Sequence, residues 1–165
     1  MRTAELHLRS ERVDADEAFR RVGRLENYAA MSEDVHSVVV HPGADGAPAT
    51  SDWEVFFRNG PLRWTEVDYF QPDRRRIVFE QTAGDFDMFR GSWRIEPDGL
   101  GCDLYFETTF DFGIDSLAGI MEPLAAKVLK EGLAVAVLRL LGDGEVIDDP
   151  TVAAVVADRI AVAGS

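Results

Sequence analysis

The chain has 165 residues, enough for one domain with a core of its own. Hydrophobic residues make up 46% and charged residues 28%, an ordinary balance that excludes wholesale disorder. Acidic residues number 30 against 17 basic, and the formal charge of −13 argues against nucleic acid or an anionic membrane as partner.

Residues 4–13 alternate, with Ala4, Leu6 and Leu8 on one side and Glu5, His7 and Arg9 on the other, which reads as a half-buried strand. Asp14 ahead of Ala15, Asp16 and Glu17 reads as the N-cap and acidic first turn of a helix reaching Arg24. A second short helix over 25–31 carries Leu25, Tyr28 and Met31. Six strand signals follow, at 35–41, 52–58, 62–70, 76–82, 86–95 and 103–112. Short turns separate them, among them Asn59-Gly60-Pro61 and Pro97-Asp98-Gly99, so they should form an antiparallel meander. Asp115 or Ser116 caps a long helix to Leu141. Its Leu117, Ile120, Met121, Leu124, Val128, Leu133, Val135 and Leu138 supply a broad apolar face, and Pro123 should bend it. Gly142-Asp143-Gly144 ends it, and Asp149-Pro150 opens a last short helix over 151–162.

The fold class is therefore α+β. A seven-stranded curved antiparallel sheet surrounds the long C-terminal helix, with two short helices between strands one and two. Residues 1–141 make the domain and 142–165 an extension, whose 150–163 segment reads as a cover for the domain, a dimer contact or a partly ordered tail, leaving monomer and homodimer both open. With one cysteine, no apolar leader in MRTAELHLRSERV and no run of about 18 apolar residues, the protein reads as cytoplasmic and free of membrane spans.

Alternation also selects the inward residues. Trp53, Val55 and Phe57 share a face in the third strand, and Ile77, Phe79 and Gln81 in the fifth. Phe89, Trp93 and Ile95 do so in the sixth, and Leu104, Phe106, Thr108, Phe110 and Phe112 in the seventh. Any one of these aromatics reads as core, and the set together reads as the wall of a ligand cavity, with Tyr28 at its mouth or in the core. In the fourth strand Leu62, Trp64 and Phe70 set a parity that also turns Glu66 and Asp68 inward. Two carboxylates on an apolar face are costly unless paired or functional. Burial and mutual repulsion would raise at least one of them toward neutrality, where it could work as a general acid or base. The opposite phase, with Val67 and Tyr69 inside, leaves both in water, and a third arrangement pairs them with arginine.

Gln81 and Thr108 could hold a ligand carbonyl or phenol, or equally a backbone group or buried water. His36 reads as a pocket base or a surface residue, and His7 and His41 as exposed. Cys102 sits in a turn-rich segment with no histidine near it in sequence. Histidine and cysteine spacing fits no metal site, no phosphate loop or nucleophile elbow occurs, and no cofactor is implied. The Arg74-Arg75-Arg76 run reads as a solvated hairpin end, or as a dock for an acyl carrier protein.

Asp14–Phe19 at the helix start, Glu26-Asn27-Tyr28, Trp64-Thr65-Glu66, Gly84-Asp85-Phe86, Gly91-Ser92-Trp93 and Phe110-Asp111-Phe112 carry a resemblance over residues 3–141. The chain resembles the START-like, or Bet v 1-like, helix-grip superfamily, and within it the polyketide cyclase/dehydrase and aromatase/cyclase group of aromatic polyketide and antibiotic pathways. The resemblance implies a hydrophobic small-molecule ligand, often aromatic and elongated, in a cavity under the long helix. In members that are enzymes it implies cofactor-free aldol condensation and dehydration, and in others carriage of lipids, quinones or hormones. Pockets of the aromatase/cyclases typically contain arginine, whereas Glu66 and Asp68 stand here, so that mechanism does not transfer. Three functions remain: a cyclase or aromatase in which Glu66 or Asp68 moves protons, a carrier that returns its ligand unaltered, and a self-resistance protein that sequesters a product.

Overall fold

A computed structural model of the chain describes residues 1–57, 60–113 and 115–163, with the backbone alone at 115–120 and 162–163. The opening alternation becomes β1 (Arg2–Ser10), whose Ala4, Leu6 and Leu8 are buried. Asp14 then caps α1 (Ala15–Val22), its Oδ1 accepting the Glu17 N–H at 2.9 Å. A 3₁₀ turn (Leu25–Asn27) leads into α2 (Tyr28–Met31).

The meander follows as β2 (Val35–His41), β3 (Ala49–Phe56), β4 (Pro61–Gln71), β5 (Arg76–Gly84), β6 (Met88–Asp98) and β7 (Gly101–Asp111). Each pairs antiparallel with the next, and β1 closes on the outer side of β7. Arg58 and Asn59, assigned above to the third strand and its turn, lie outside the described residues, as do the side chains of Asp115, Ser116, Leu117, Ile120 and Val162.

After α3 (Asp115–Leu141), Gly142 takes a positive φ of 73° and its N–H returns to the Leu138 carbonyl. The chain then adds one strand more than the seven expected. β8 (Glu145–Ile147) pairs with β1, giving an eight-stranded sheet in the order β2-β3-β4-β5-β6-β7-β1-β8. Three residues after two glycines are too short to show an alternation, and the free edge of β1 supplies what their sequence lacks. In α4 (Pro150–Ala163) the Val152 N–H is capped by Asp149 Oδ1 at 3.1 Å.

The sheet curves around α3, and α3 is not merely amphipathic. Leu133, Ala134, Val135, Ala136, Val137 and Leu138 are all buried, so every side of the helix is covered over this stretch. The sheet lies on one side, α1 and α2 on another, and α4 with its buried Val152 and Val156 behind. A helix enclosed on all sides needs apolar residues all round. Arg139 ties the layers, donating to the Met31 carbonyl at 2.7 Å and to the Arg159 carbonyl at 3.1 Å.

Candidate functional site

β3 and β4 pair with Trp53 directly opposite Trp64, and the two indoles stack at 5.8 Å with planes 4° apart. The same parity brings Ser51, Glu66 and Asp68 to the concave side, all three buried. Glu66 is 4% exposed and Asp68 1%. These strands frame a cavity of about 40 Å³ under α3. Of the residues expected on its wall, Tyr28, Trp53, Val55, Trp64, Phe79, Phe89, Trp93 and Phe106 are there, together with both carboxylates. α3 closes the far side with Val128, Leu129, Gly132 and Leu133.

Four expected wall residues lie elsewhere. Phe57 and Phe110 both meet Phe86 edge-on, at 6.4 and 5.7 Å, in an aromatic cluster that also holds Phe112. That cluster is core beside the cavity. Thr108 is fully buried and its hydroxyl donates to the Arg90 carbonyl at 2.9 Å. Gln81 sits at a bulge, where the pairs Thr65–Ala83 and Glu66–Gln81 leave Thr82 as an extra residue. Its amide is held by the Phe86 carbonyl at 2.9 Å. Phe70, used to set the parity of β4, is 38% exposed at the sheet rim, although the parity itself holds at Trp64, Glu66 and Asp68.

The interior is also tighter than an elongated ligand needs, since 40 Å³ is room for roughly three waters. Indoles and phenyl rings from the sheet meet α3 across the gap, so a larger guest must push these groups aside. Gly91 sets one wall. A Cβ there would come within 2.7 Å of the Phe79 ring and 2.1 Å of the Glu107 carbonyl oxygen.

The carboxylates form the polar centre of this apolar space. Trp64 Nε1 donates to Glu66 Oε1 at 2.8 Å. Trp53 Nε1 donates to Ser51 Oγ at 2.9 Å, so the Ser51 hydrogen points on to Asp68 Oδ2 at 2.6 Å. Asp68 Oδ1 is buried and accepts no other hydrogen bond, and the neighbouring Glu66 can donate to Asp68 only as the protonated acid. Burial first, then the neighbouring Asp68, drives Glu66 well above the usual glutamate range, against the indole N–H that favours its ionised form. Burial also raises Asp68, while the Glu66 and Ser51 hydrogen bonds pull it down. Burial therefore favours a neutral Glu66 beside Asp68, and the two titrate as one pair. Tyr28, fully buried with its hydroxyl donating to the Val22 carbonyl at 2.7 Å, is pushed up by burial and by both acids.

Sequence reasoning missed Ser51, and it missed Asp34 and Gly132 on the wall. Asp34 Oδ2 pairs with Arg159 of α4 at 3.0 Å, and a Cβ on Gly132 would come within 2.9 Å of that same oxygen. A glycine in a helix interior costs about 1 kcal/mol, and here it makes space for a neighbour. The signal was the glycine itself.

The remaining candidates are off the site. His36 and His41 are exposed, near Glu54 and Asp52. His7 is not freely exposed as expected, because it bonds Asp103 at 2.8 Å and stacks on Tyr105 at 4.4 Å. Cys102 lies buried within β7 rather than in a turn, and burial pushes its thiol up to about 11. Arg75 takes a left-handed φ of 49° and pairs with Asp16. Among the described residues no helix is long and apolar enough to cross a membrane.

A family model described as polyketide cyclase/dehydrase and lipid transport matches residues 12–134. The chain belongs to this family. Solved structures share the helix-grip fold. A Thermus thermophilus protein is 23% identical with a TM-score of 0.73, over 85% of this chain and 94% of that one. A START superfamily protein from Mycobacterium smegmatis is 18% identical with a TM-score of 0.69, over 81% and 92%. The Zhui aromatase/cyclase from a Streptomyces species is 20% identical with a TM-score of 0.61, and the match covers 99% of this chain and 98% of that one. No curated protein matches the chain.

Proposed function

We propose that this protein is a cofactor-free acid–base enzyme of the cyclase/dehydratase kind, acting on a hydrophobic, aromatic or polyketide-derived carbonyl compound held against Trp53 and Trp64. The observation that carries this is the buried Glu66–Asp68 pair on the cavity wall, with no lysine, arginine or histidine among the described wall residues. A passive apolar carrier gains nothing from two acids that cost stability where they lie.

Asp68 takes a proton from the substrate and Glu66 gives its own to the substrate oxygen. Glu66 then recovers a proton from Asp68 through the hydrogen bond they share, and the pair is ready for a second cycle. In a dehydration the same donation turns a hydroxyl into leaving water. Exclusion of bulk water and positioning by the rings supply the rest.

The test is turnover of the co-purifying or family-type substrate by Glu66→Gln and Asp68→Asn. Both should fold, bind, and lose about 10²-fold or more in kcat. Unchanged turnover in both would leave the carrier reading, which the apolar wall and the lipid-transport branch of the family favour.

A further inference from the structure

The charge lining the cavity is one-sided. Among the described wall residues three are acidic, Asp34, Glu66 and Asp68, and none is lysine, arginine or histidine. Asp34 has its own cation in Arg159. Glu66 and Asp68 have none, and their donors are a serine and an indole. A buried carboxylate without a counter-ion is one of the most costly groups a fold can carry. Asp68 Oδ1, buried and with no donor beside it other than a protonated Glu66, is the point where that cost is concentrated. The same wall carries Tyr28, Trp53, Trp64 and Phe79, aromatic rings of the kind whose faces attract positive charge.

We infer that the cavity selects a ligand bearing a protonated amine, with its N–H⁺ bound by the Glu66–Asp68 pair and its cationic end against the Trp53 and Trp64 rings. This rests on the cavity being a ligand site, as proposed above, and adds the substrate class. The ammonium N–H⁺ donates to Asp68 while Glu66 keeps its proton, so the one negative charge of the pair meets one positive charge on the ligand. Free carboxylic acids should be rejected, because a third buried negative charge has nothing to pair with.

Benzylamine, benzyl alcohol and benzoate are probes of one size and three charges, read by quenching of tryptophan fluorescence on the unmodified protein. Benzylamine should bind at least about tenfold more tightly than the alcohol, and benzoate weakest of the three. Calorimetry in two buffers of different ionisation heat should show no net proton exchange with either benzylamine or the alcohol. The other titratable groups on the wall are Tyr28, far too high to take part, and Asp34, already paired with Arg159. Asp68→Asn should abolish the amine preference while keeping the alcohol. Equal binding of amine and alcohol, or amine binding that releases a proton, would overturn the inference and leave the acid–base reading standing. Binding of none of the three, with no co-purifying ligand, would remove the ligand cavity and both readings with it.

Discussion

Glu66→Gln should stabilise the protein while disabling it, and the gain should grow with pH. In the fold Glu66 is held well above its ordinary value of 4.5, first by burial and then by Asp68. From 4.5 up to its folded value the native chain holds a proton that the unfolded chain has released. Stability from this group is thus complete below 4.5 and lost as pH rises toward the folded value, at about 1.4 kcal/mol per pH unit. Glutamine is neutral at every pH. Its amide oxygen can accept the Trp64 N–H and its NH₂ can donate to Asp68, as the protonated acid does. The variant should therefore gain on the parent by about 1.4 kcal/mol for each pH unit, or roughly 3–6 °C in Tm for a chain of this size. Urea and thermal unfolding followed by circular dichroism from about pH 5 to about pH 8 measures the difference directly. Tyr28 and Asp34 share the cavity but are the same in both proteins, so they cancel. A difference that stays flat with pH, or a variant weaker by a constant amount, would refute a protonated buried Glu66.

Gly132→Ala should improve helix propensity by about 1 kcal/mol yet displace Asp34, whose Oδ2 would lie 2.9 Å from the new Cβ, so ligand affinity should fall with little loss of Tm. Arg159→Ala removes the cation of Asp34 and a link from α4 to the cavity wall, and hydrogen exchange should speed up over α4 and residues 31–34 before it does in the sheet. Thr108→Val should cost about 1 kcal/mol through the lost bond to the Arg90 carbonyl and leave binding untouched, because Thr108 is off the wall.

Much of the fold was written in periodicities, and the failures fall where periodicity stops. Strand alternation placed Glu66 and Asp68 inside because one continuous strand, β4, carries both beside Trp64. The same rule misled at Gln81, where the bulge at Thr82 interrupts the register and a turn carbonyl captures the amide. It also could not separate Phe57 and Phe110 from the cavity aromatics, because facing inward does not say which part of the interior is reached. β8 was illegible because its pairing partner, not its own three residues, makes it a strand. Ser51 and Asp34 act through tertiary neighbours that are distant in sequence, Asp68 and Arg159, so no local pattern announces them.

Native mass spectrometry of the purified protein, with identification of any released ligand, tests the central claim most directly. The account predicts a bound aromatic or polyketide-like molecule in the unmodified protein. A protein that carries nothing and ignores hydrophobic dyes would show that Trp53, Trp64 and Phe79 are core alone and that the buried acids serve no ligand.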